Sequence, residues 1–451
     1  MNVHFIAIGG SAMHNLAIAL SKKGLNVKGS DDEIFEPSKS RLAGYGILPS
    51  REGWFPELIH PDLDAVILGM HAKSDNPELL RARELNIPIY SYPEYLYEQA
   101  KNKIRVVIGG SHGKTTITSM ILHVLQKEGI DCDYMVGAQL EGFEVMVKIS
   151  ETAPVMILEG DEYLTSPIDP RPKFHVYKPD IGLISGIAWD HVNVFPTFGI
   201  YVQQFRIFAG LIPAGGTLIY CADDEEVNNI GKDVPASVNA VPYSVPEHII
   251  EDGMTFLLNG GERIPLQIFG KHNLLNLNGA CLVCHELGVS DERFYEAIQT
   301  FRGASKRLEA IAIGKQSIFY KDFAHSPSKL RATTRAVKEQ YSDRKLVACL
   351  ELHTYSSLNA TFLDQYRNSM DHADLAIVYF NPHAVALKRL PPLTEEQIKT
   401  AFGRPDLLVY NDSKELMNKL QEMKWTQMNL LMMSSGNFDG IDLQALGKAI
   451  C

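Results

Sequence analysis

The feature that most constrains the fold of this chain is a glycine-rich loop between a largely apolar strand and a long helix. Residues 105–108 predict the strand and residues 115–128 predict the helix. The loop and the start of the helix contain Gly110, Ser111, His112, Gly113, Lys114, Thr115 and Thr116. Glycines in such a loop let backbone N–H groups close around phosphate oxygens, and the helix N-terminus adds partial positive charge. The loop therefore predicts a parallel α/β sheet that holds a nucleotide phosphate, the alternative being a chance glycine-rich turn.

Two side chains of this loop have predicted roles. The Lys114 ammonium would reach the β- and γ-phosphates, and the Thr115 hydroxyl would ligate Mg²⁺. The spacing departs by one place from the common G-x-x-x-x-G-K-T pattern, because Ile108 stands where the first glycine is expected. The flanking strand and helix, rather than the spacing, support this prediction.

Polar side chains follow two further predicted strands. Glu159 comes directly after the apolar residues 155–158, and His191 follows the strand predicted at residues 181–187. Ligands of open parallel sheets bind at the carboxyl ends of the strands. We therefore expect Glu159 to hold Mg²⁺, directly or through water, and His191 to hold a second cation. The alternatives are a solvated acidic turn for Glu159 and a structural histidine for His191.

The N-terminus carries a weaker motif of the same kind. A strand predicted at residues 3–8 is followed by Gly9, Gly10, Ser11, Ala12 and Met13, and Ser30 and Asp31 lie about twenty residues further on. This order is typical of a dinucleotide-binding turn with its ribose-binding acid, but the third glycine is missing. A tight turn of any α/β domain is the alternative.

The C-terminal half of the chain contains four more candidates for nucleotide contacts. Asn273, at a predicted helix start, is placed either to bind an adenine edge or to cap the helix. Arg307, which follows Lys306, can reach a γ-phosphate if it lies at a domain junction. Asp322 and His325 follow a predicted strand. The alternatives are a surface salt bridge for Arg307 and a turn or helix cap for Asp322.

Bulk composition excludes several classes of protein. The 451 residues, 45% hydrophobic and 22% charged, are typical of a globular chain with several domains, and they exclude a disordered one. The net charge of −11 argues against general nucleic-acid or anionic-membrane binding. No apolar stretch reaches the roughly 18 residues that span a bilayer, so we expect a cytoplasmic protein. Six sparse cysteines predict reduced thiols, and the haem-like pattern at Cys281, Cys284 and His285 is interpreted as part of a buried helix.

The alternation of strands and helices predicts three α/β units, at residues 1–102, 103–300 and 301–451. Together with the motifs, this order resembles the Mur ligase family over essentially the whole chain. The family's own phosphate loop has the short glycine spacing seen here. The resemblance implies a Rossmann-like N-terminal domain for a UDP-sugar, a central P-loop ATPase-like parallel sheet, and a C-terminal Rossmann-like domain that closes over ATP.

The resemblance also implies roles for individual residues. Those implied at the UDP-sugar are Gly10, Ser11, Ala12 and Met13 near the diphosphate, with Ser30 and Asp31 at the uridine. Those implied at ATP and Mg²⁺ are residues 110–116, Glu159, His191, Asn273, Arg307, Asp322 and His325. Three departures from the expected pattern are Ala12 with the His14–Asn15 pair, Ser326 in place of a second histidine, and the character of residues 351–355.

The expected reaction is an ATP-dependent amide synthesis through an acyl phosphate, with small-molecule substrates and neither nucleic acid nor membrane insertion. The N-terminal motif resembles the branch of the family that acts on UDP-N-acetylmuramate. Residues 161–174 resemble the member that adds L-alanyl-γ-D-glutamyl-meso-diaminopimelate, which is the amine we predict. Residues 351–355 resemble the member that adds L-alanine, which is the alternative. An ATP-hydrolysing binding module and a dinucleotide oxidoreductase are alternatives of other classes.

Overall fold

The computed structural model describes residues 1–140, 142–191, 194–304 and 307–451, so Lys306 lies outside the described residues. Within these ranges the chain forms two compact units. The first comprises Met1–Ser244 and Leu275–Ile298, and the second comprises Val245–Leu274 and Gln299–Cys451. The predicted boundaries at residues 102 and 300 stay a prediction. None of the described helices is both long and apolar enough to cross a bilayer.

The N-terminal part of the first unit is a four-stranded parallel sheet with the order β2-β1-β3-β4. Its central strands are buried because helices cover them, as all-parallel sheets require. Its elements are β1 (Asn2–Ile6), α1 (Ser11–Lys22), β2 (Asn26–Ser30), α2 (Ser38–Gly44), β3 (Ala65–Leu68), α3 (Pro77–Glu84), β4 (Ile89–Ser91) and α4 (Tyr92–Ala100). A capping box between Ser91 and Glu94 begins α4.

The rest of the first unit is built on a seven-stranded sheet with the order β13-β12-β11-β5-β8-β6-β7, in which β7 alone among these strands runs antiparallel to its neighbour. Its strands are β5 (Ile104–Gly109), β6 (Asp133–Met135), β7 (Val147–Lys148), β8 (Val155–Glu159), β11 (Ile181–Ile184), β12 (Thr217–Cys221) and β13 (Asn239–Tyr243). A separate hairpin contains β9 (Leu164–Ser166) and β10 (Asp169–Pro172). The helices of this stretch are α5 (Lys114–Lys127), α6 (Lys173–Val176), α7 (Phe198–Gly210) and α8 (Glu225–Asp233).

The strand predicted at residues 181–187 ends earlier, at Ile184. The backbone turns there toward the glycine loop, because the Ser185 N–H donates to the carbonyl of Gly109 (3.1 Å) and the Ser111 N–H donates to that of Gly186 (2.9 Å). The Ser185 bond continues the contact with β5, and the Gly186 bond joins the backbone beyond β11 to the glycine loop.

The second unit contains two sheets. A three-stranded antiparallel sheet is formed by β14 (His248–Glu251), β15 (Met254–Asn259) and β16 (Glu262–Leu266). The other has the order β17-β18-β22-β19-β20-β21, parallel except for β17 (Glu309–Ile313), with separate hydrophobic clusters on its two faces. Its other strands are β18 (Ile318–Asp322), β19 (Lys345–Leu352), β20 (Leu375–Phe380), β21 (Leu408–Tyr410) and β22 (Met428–Met433).

The remaining helices complete both units. They are α9 (Lys271–Glu286), α10 (Asp291–Ile298), α11 (Pro327–Gln340), α12 (Pro382–Leu387), α13 (Glu395–Phe402), α14 (Ser413–Glu422) and α15 (Leu443–Ile450). Cys281 and Cys284 are both buried on α9, which confirms their interpretation as residues of a buried helix.

Candidate active site

The glycine loop lies at the carboxyl end of the central strand β5. Gly110 and Gly113 both have positive φ angles, of 131° and 80°. A Cβ atom at Gly113 would lie 2.3 Å from Asn276 Oδ1, and one at Gly110 would lie 2.1 Å from Ser185 Oγ. Both positions therefore require glycine, for backbone conformation and for space. The loop leads directly into the first turn of α5, as a phosphate site at a helix N-terminus requires.

Lys114 is held across this loop by a buried ion pair. Its Nζ donates to Glu162 Oε2 (2.6 Å) and to the carbonyl of Gly110 (2.7 Å). Burial disfavours the ammonium, but the negative charge of Glu162, assisted by Asp161, outweighs burial and raises the pKa of Lys114. The lysine is thus held as a cation at the loop where a phosphate would bind.

Glu162 is a residue that the sequence analysis missed, since it selected Glu159 from the same acidic segment. Its side chain is only 2% exposed, and its second oxygen accepts a hydrogen bond from the Tyr201 hydroxyl (2.9 Å). Tyr201 in turn lies 2.8 Å from the Ser111 hydroxyl of the loop. The burial of this carboxylate accounts for its need of a cationic partner, but that burial is visible only in the folded chain.

Thr115 and Glu159 come together as the sequence predicts. Thr115 Oγ1 donates to Glu159 Oε1 (2.9 Å), and the Gly137 N–H donates to Glu159 Oε2 (2.7 Å). Burial raises the pKa of Glu159, against the opposing effects of these hydrogen bonds and of Lys114. A hydroxyl and a carboxylate are the hard oxygen ligands that Mg²⁺ prefers, so the residues present fit this ion.

His191 lies at the same cluster. Its Nε2 is 3.8 Å from Glu162 Oε1, and its ring centroid is 5.0 Å from that of Tyr163. Its backbone has a positive φ of 53°, and the Asp190 carboxylate accepts a hydrogen bond from the His191 N–H (2.8 Å). Ends of three neighbouring strands thus bring the predicted loop, Glu159 and His191 to one edge of the sheet.

At the N-terminal motif the residues divide into two groups. Ser11 and Ala12 are exposed in the first turn of α1, where an anion would bind, whereas the Met13 side chain is buried. Gly10 precedes this helix as its N-cap residue. The structure therefore leaves the backbone of the first turn accessible.

Asp31 and Ser30, the two residues predicted to bind uridine, have different hydrogen-bond partners. Asp31 Oδ2 accepts a hydrogen bond from the Gly9 N–H (2.7 Å), which places this carboxylate beneath the glycine turn. Burial, partly offset by this hydrogen bond, raises the pKa of Asp31 to about 6. Ser30 instead donates to Glu78 in the interior, where His4 also lies 3.1 Å from that carboxylate.

His14 and Asn15, which depart from the family pattern, are buried polar residues of the first unit. His14 Nδ1 donates to the carbonyl of Gly10 (2.9 Å), and the Asn15 amide donates to that of Ser11 (2.8 Å). Burial lowers the pKa of His14, so this imidazole is held neutral. Both side chains thereby stabilise the first turn of α1.

The candidates in the second unit are engaged with their local backbone. Asp322 accepts hydrogen bonds from the Leu308 N–H (2.7 Å) and the Ala324 N–H (2.6 Å), and the Arg307 guanidinium lies 4.8 Å from the Phe323 ring centroid. Burial raises the pKa of Asp322, although the positive charge of Arg307 opposes this.

Two further candidates of this unit, His325 and Asn273, also hydrogen-bond to nearby backbone. His325 Nδ1 donates to the carbonyl of Phe323 (2.8 Å), and the Asn273 amide donates to that of Phe269 (2.9 Å). The Asn273 amide thus donates to the backbone before α9, whereas a helix cap would accept a backbone N–H. The roles of these residues toward ATP stay predictions.

Comparison with known proteins identifies the family. Residues 2–104 match the model of the Mur ligase family catalytic domain, and residues 108–284 match that of the Mur ligase middle domain. A UDP-N-acetylmuramate–L-alanine ligase from Sulfurihydrogenibium sp. is 32% identical over 383 residues, covering 83% of this chain and 82% of that protein. This chain belongs to the Mur ligase family.

Further relatives extend the match over the full length. A UDP-N-acetylmuramate–L-alanine ligase from Carboxydothermus hydrogenoformans is 29% identical. The match covers 99% of this chain and 96% of that protein. Two solved structures share the fold. They are the UDP-N-acetylmuramate-alanine ligase of Thermotoga maritima (TM-score 0.70, 21% identity, 97% and 96% of the two chains) and a murein peptide ligase of Psychrobacter arcticus (TM-score 0.64, 23% identity, 99% of each).

The predicted α/β fold class and the predicted enzyme class are thus confirmed, and this Mur ligase is an ATP-dependent ligase. Both curated relatives described above are named as L-alanine ligases, the member that the sequence analysis kept as its alternative. The individual site residues remain predictions.

Proposed function

We propose that this protein joins the carboxylate of UDP-N-acetylmuramate to the amino group of L-alanine, at the expense of ATP. The observation that carries the proposal is the cluster of Lys114, Thr115, Glu159, Glu162 and His191 at the carboxyl edge of one parallel sheet. The names of the two curated relatives described above support the choice of substrates. Mg²⁺ held by Thr115 and Glu159 would neutralise phosphate charge when bound.

The proposed chemistry has two steps. The muramate carboxylate attacks the γ-phosphorus of ATP, which forms an acyl phosphate and releases ADP. The uncharged amine then attacks the acyl carbon, which forms the amide and releases phosphate and a proton. Phosphorylation is needed because oxide is a poor leaving group from a free carboxylate, whereas phosphate is a good one.

The protein's own groups supply positioning and charge in this scheme. Lys114, released from Glu162, would bind the transferred phosphoryl group, and the loop N–H groups would hold its oxygens. Glu162 would then retain its hydrogen bond from Tyr201. His191 would hold a second cation beside the acyl phosphate. The family resemblance implies that Arg307 would contact the γ-phosphate, with Asp322 and Asn273 at ribose and adenine.

A second candidate amine is the tripeptide L-alanyl-γ-D-glutamyl-meso-diaminopimelate. Two observations favour it, namely the resemblance of residues 161–174 and the exposure of a cationic side chain on the β9–β10 hairpin. Arg171 is 57% exposed, and a carboxylate-rich peptide would compete for its guanidinium with its present partners Asp169 and Glu94. L-Alanine offers only one carboxylate for such a contact.

Phosphate release with ATP, Mg²⁺ and UDP-N-acetylmuramate, in the presence of either amine, tests these proposals. A kcat/KM for L-alanine well above that for the tripeptide is expected. The reverse preference, lost in an Arg171→Met variant, would establish the tripeptide as the amine. Release that needs neither the UDP-sugar nor an amine would refute the ligase proposal and favour an ATP-hydrolysing module.

A further inference from the structure

Three metal-ligating side chains of different chemistry converge on α9 and α10, and none belongs to the glycine-loop cluster. Cys281 Sγ lies 3.4 Å from His285 Nε2 and 3.9 Å from Asp291 Oδ1. His285 Nε2 also contacts the Asp291 carboxylate directly. The three ligand atoms all lie within 4.8 Å of one another.

The local fold explains why the three meet. Cys281 and His285 are four residues apart on α9, so their side chains lie on the same face of the helix. The chain turns back after α9, and Asp291 is the first residue of α10, where it faces the last turn of α9. Cys281 is buried, whereas Asp291 is 60% exposed, so the cluster is open to solvent on the carboxylate side.

Two of the three separations are close to those of a tetrahedral zinc site. Zinc bonds of about 2.3 Å to sulfur and about 2.0 Å to nitrogen and oxygen, at tetrahedral angles, separate sulfur from either other ligand by about 3.5 Å. The observed distances from the Cys281 sulfur, 3.4 Å to His285 and 3.9 Å to Asp291, differ from this value by only a few tenths of an ångström. The His285 nitrogen and the Asp291 oxygen contact each other directly, closer than the roughly 3.3 Å that two such ligands keep around zinc, so these two side chains would move apart when an ion binds.

The donor set selects the class of metal. One thiolate and one carboxylate balance the charge of a divalent ion, and a neutral imidazole adds the third bond. A thiolate favours zinc-like ions and excludes Mg²⁺ and Ca²⁺, which prefer oxygen. The Tyr295 hydroxyl hydrogen-bonds to the Cys281 sulfur, which is the kind of outer contact that orients a metal ligand.

A nucleophilic role for the cysteine is less consistent with the same observations. Cys281 is only 3% exposed, so its sulfur presents little surface to an incoming substrate. A nucleophile needs a thiolate without help, whereas a bound divalent ion stabilises the thiolate directly and releases its proton to solvent.

We propose that Cys281, His285 and Asp291 form a binding site for a zinc-class divalent ion, with water in the fourth position. The ion would bridge α9 to α10. The proposal is independent of the amine substrate and of the roles assigned to the glycine loop, because its readout is metal binding rather than ligation.

Cobalt titration of the full chain tests this proposal, since Co²⁺ takes the place of Zn²⁺ and reports a thiolate bond by near-ultraviolet charge-transfer absorption. We expect one such Co²⁺ per chain, displaced by Zn²⁺ and unaffected by excess Mg²⁺. The band should vanish in Cys281→Ser, and Asp291→Asn should weaken binding by about tenfold or more. Glu292→Gln, which changes the neighbouring exposed carboxylate, is the matched control and should bind normally.

Several results would overturn the proposal. They are the absence of a thiolate band in the wild-type protein, its persistence in Cys281→Ser, or equal losses in Asp291→Asn and Glu292→Gln. Cobalt held by the oxygen ligands Thr115 and Glu159 cannot imitate the signal, because that site contains no sulfur. Asp291 is exposed, so its variant keeps the test valid even if Cys281→Ser folds poorly.

Discussion

Replacement of Lys114 by methionine should lower both activity and stability, because the lysine neutralises a buried carboxylate. Glu162 is 2% exposed, and its Oε2 lies 2.6 Å from Lys114 Nζ. Removal of one partner of a buried ion pair costs about 3–5 kcal/mol, because the other charge is left uncompensated. The Tyr201 hydroxyl remains bonded to Glu162, so we expect the lower end, about 3 kcal/mol.

The double variant Lys114→Met/Glu162→Gln should recover most of that loss. Replacement of a buried pair by neutral groups of similar volume is often close to neutral, since desolvation offsets the attraction of the charges. Glutamine can still accept the hydrogen bond from Tyr201. Urea unfolding of the nucleotide-free protein, followed by circular dichroism, should therefore rank the double variant near the wild type and the single variant Lys114→Met clearly below it.

Activity should not recover with stability. Loss of the Lys114 charge from the phosphate loop should lower kcat by about 10²–10³, in the single and in the double variant alike. Phosphate release with ATP, Mg²⁺, UDP-N-acetylmuramate and amine measures this. If the single variant were as stable as the wild type, or if the losses of Lys114→Met and Glu162→Gln simply added in the double variant, the ion pair would not be coupled and the reasoning would fail.

Three other predictions concern separate parts of the first unit. His191→Ala should raise the Mg²⁺ concentration needed for half-maximal activity; an unaltered Mg²⁺ titration would reject His191 as a ligand. Asp31 has a pKa raised to about 6, so its ionised form is disfavoured in the folded protein and stability should fall as pH rises from about 4 to 6. Asp31→Asn keeps an acceptor for the Gly9 N–H, so its melting temperature should lose this dependence, and an unchanged pH profile would contradict the assignment. Asn15→Ala should destabilise the protein by about 1–3 kcal/mol, because a buried backbone N–H loses its acceptor; a melting temperature equal to that of the wild type would argue against this.

The parts of the fold that could be predicted are those that local sequence determines. The strand predicted at residues 155–158 matches β8, and the glycine loop has the predicted strand before it and helix after it, because a buried parallel strand shows as an apolar run. The convergence of Glu159 with Thr115 followed from one general rule, that carboxyl ends of parallel strands share an edge. The early end of β11 at Ile184 did not follow, since it depends on hydrogen bonds with a loop more than seventy residues away.

Glu162 illustrates the remaining difficulty at the site. Sequence order places Glu159, Asp161 and Glu162 in one acidic segment, and nothing local says which carboxylate faces the loop. In the folded chain Asp161 pairs with Lys173, which together with Lys114 outweighs burial and lowers the pKa of Asp161 to about 2, while Glu162 pairs with Lys114. The choice among neighbouring carboxylates is made by cations that are distant in sequence.

The departure at Asn15 shows how far such coupling extends within the first unit. Its side-chain oxygen accepts the N–H of Met146, 131 residues away, and the carbonyl of Met146 accepts the N–H of Val136 (3.0 Å). The next N–H, that of Gly137, donates to Glu159. A side chain on α1 therefore fixes the same backbone segment that orients the candidate metal-binding carboxylate. Because each bond satisfies a buried polar group, a change at Asn15 cannot be absorbed locally, and an unusual residue at the N-terminal motif has to be interpreted together with the central sheet.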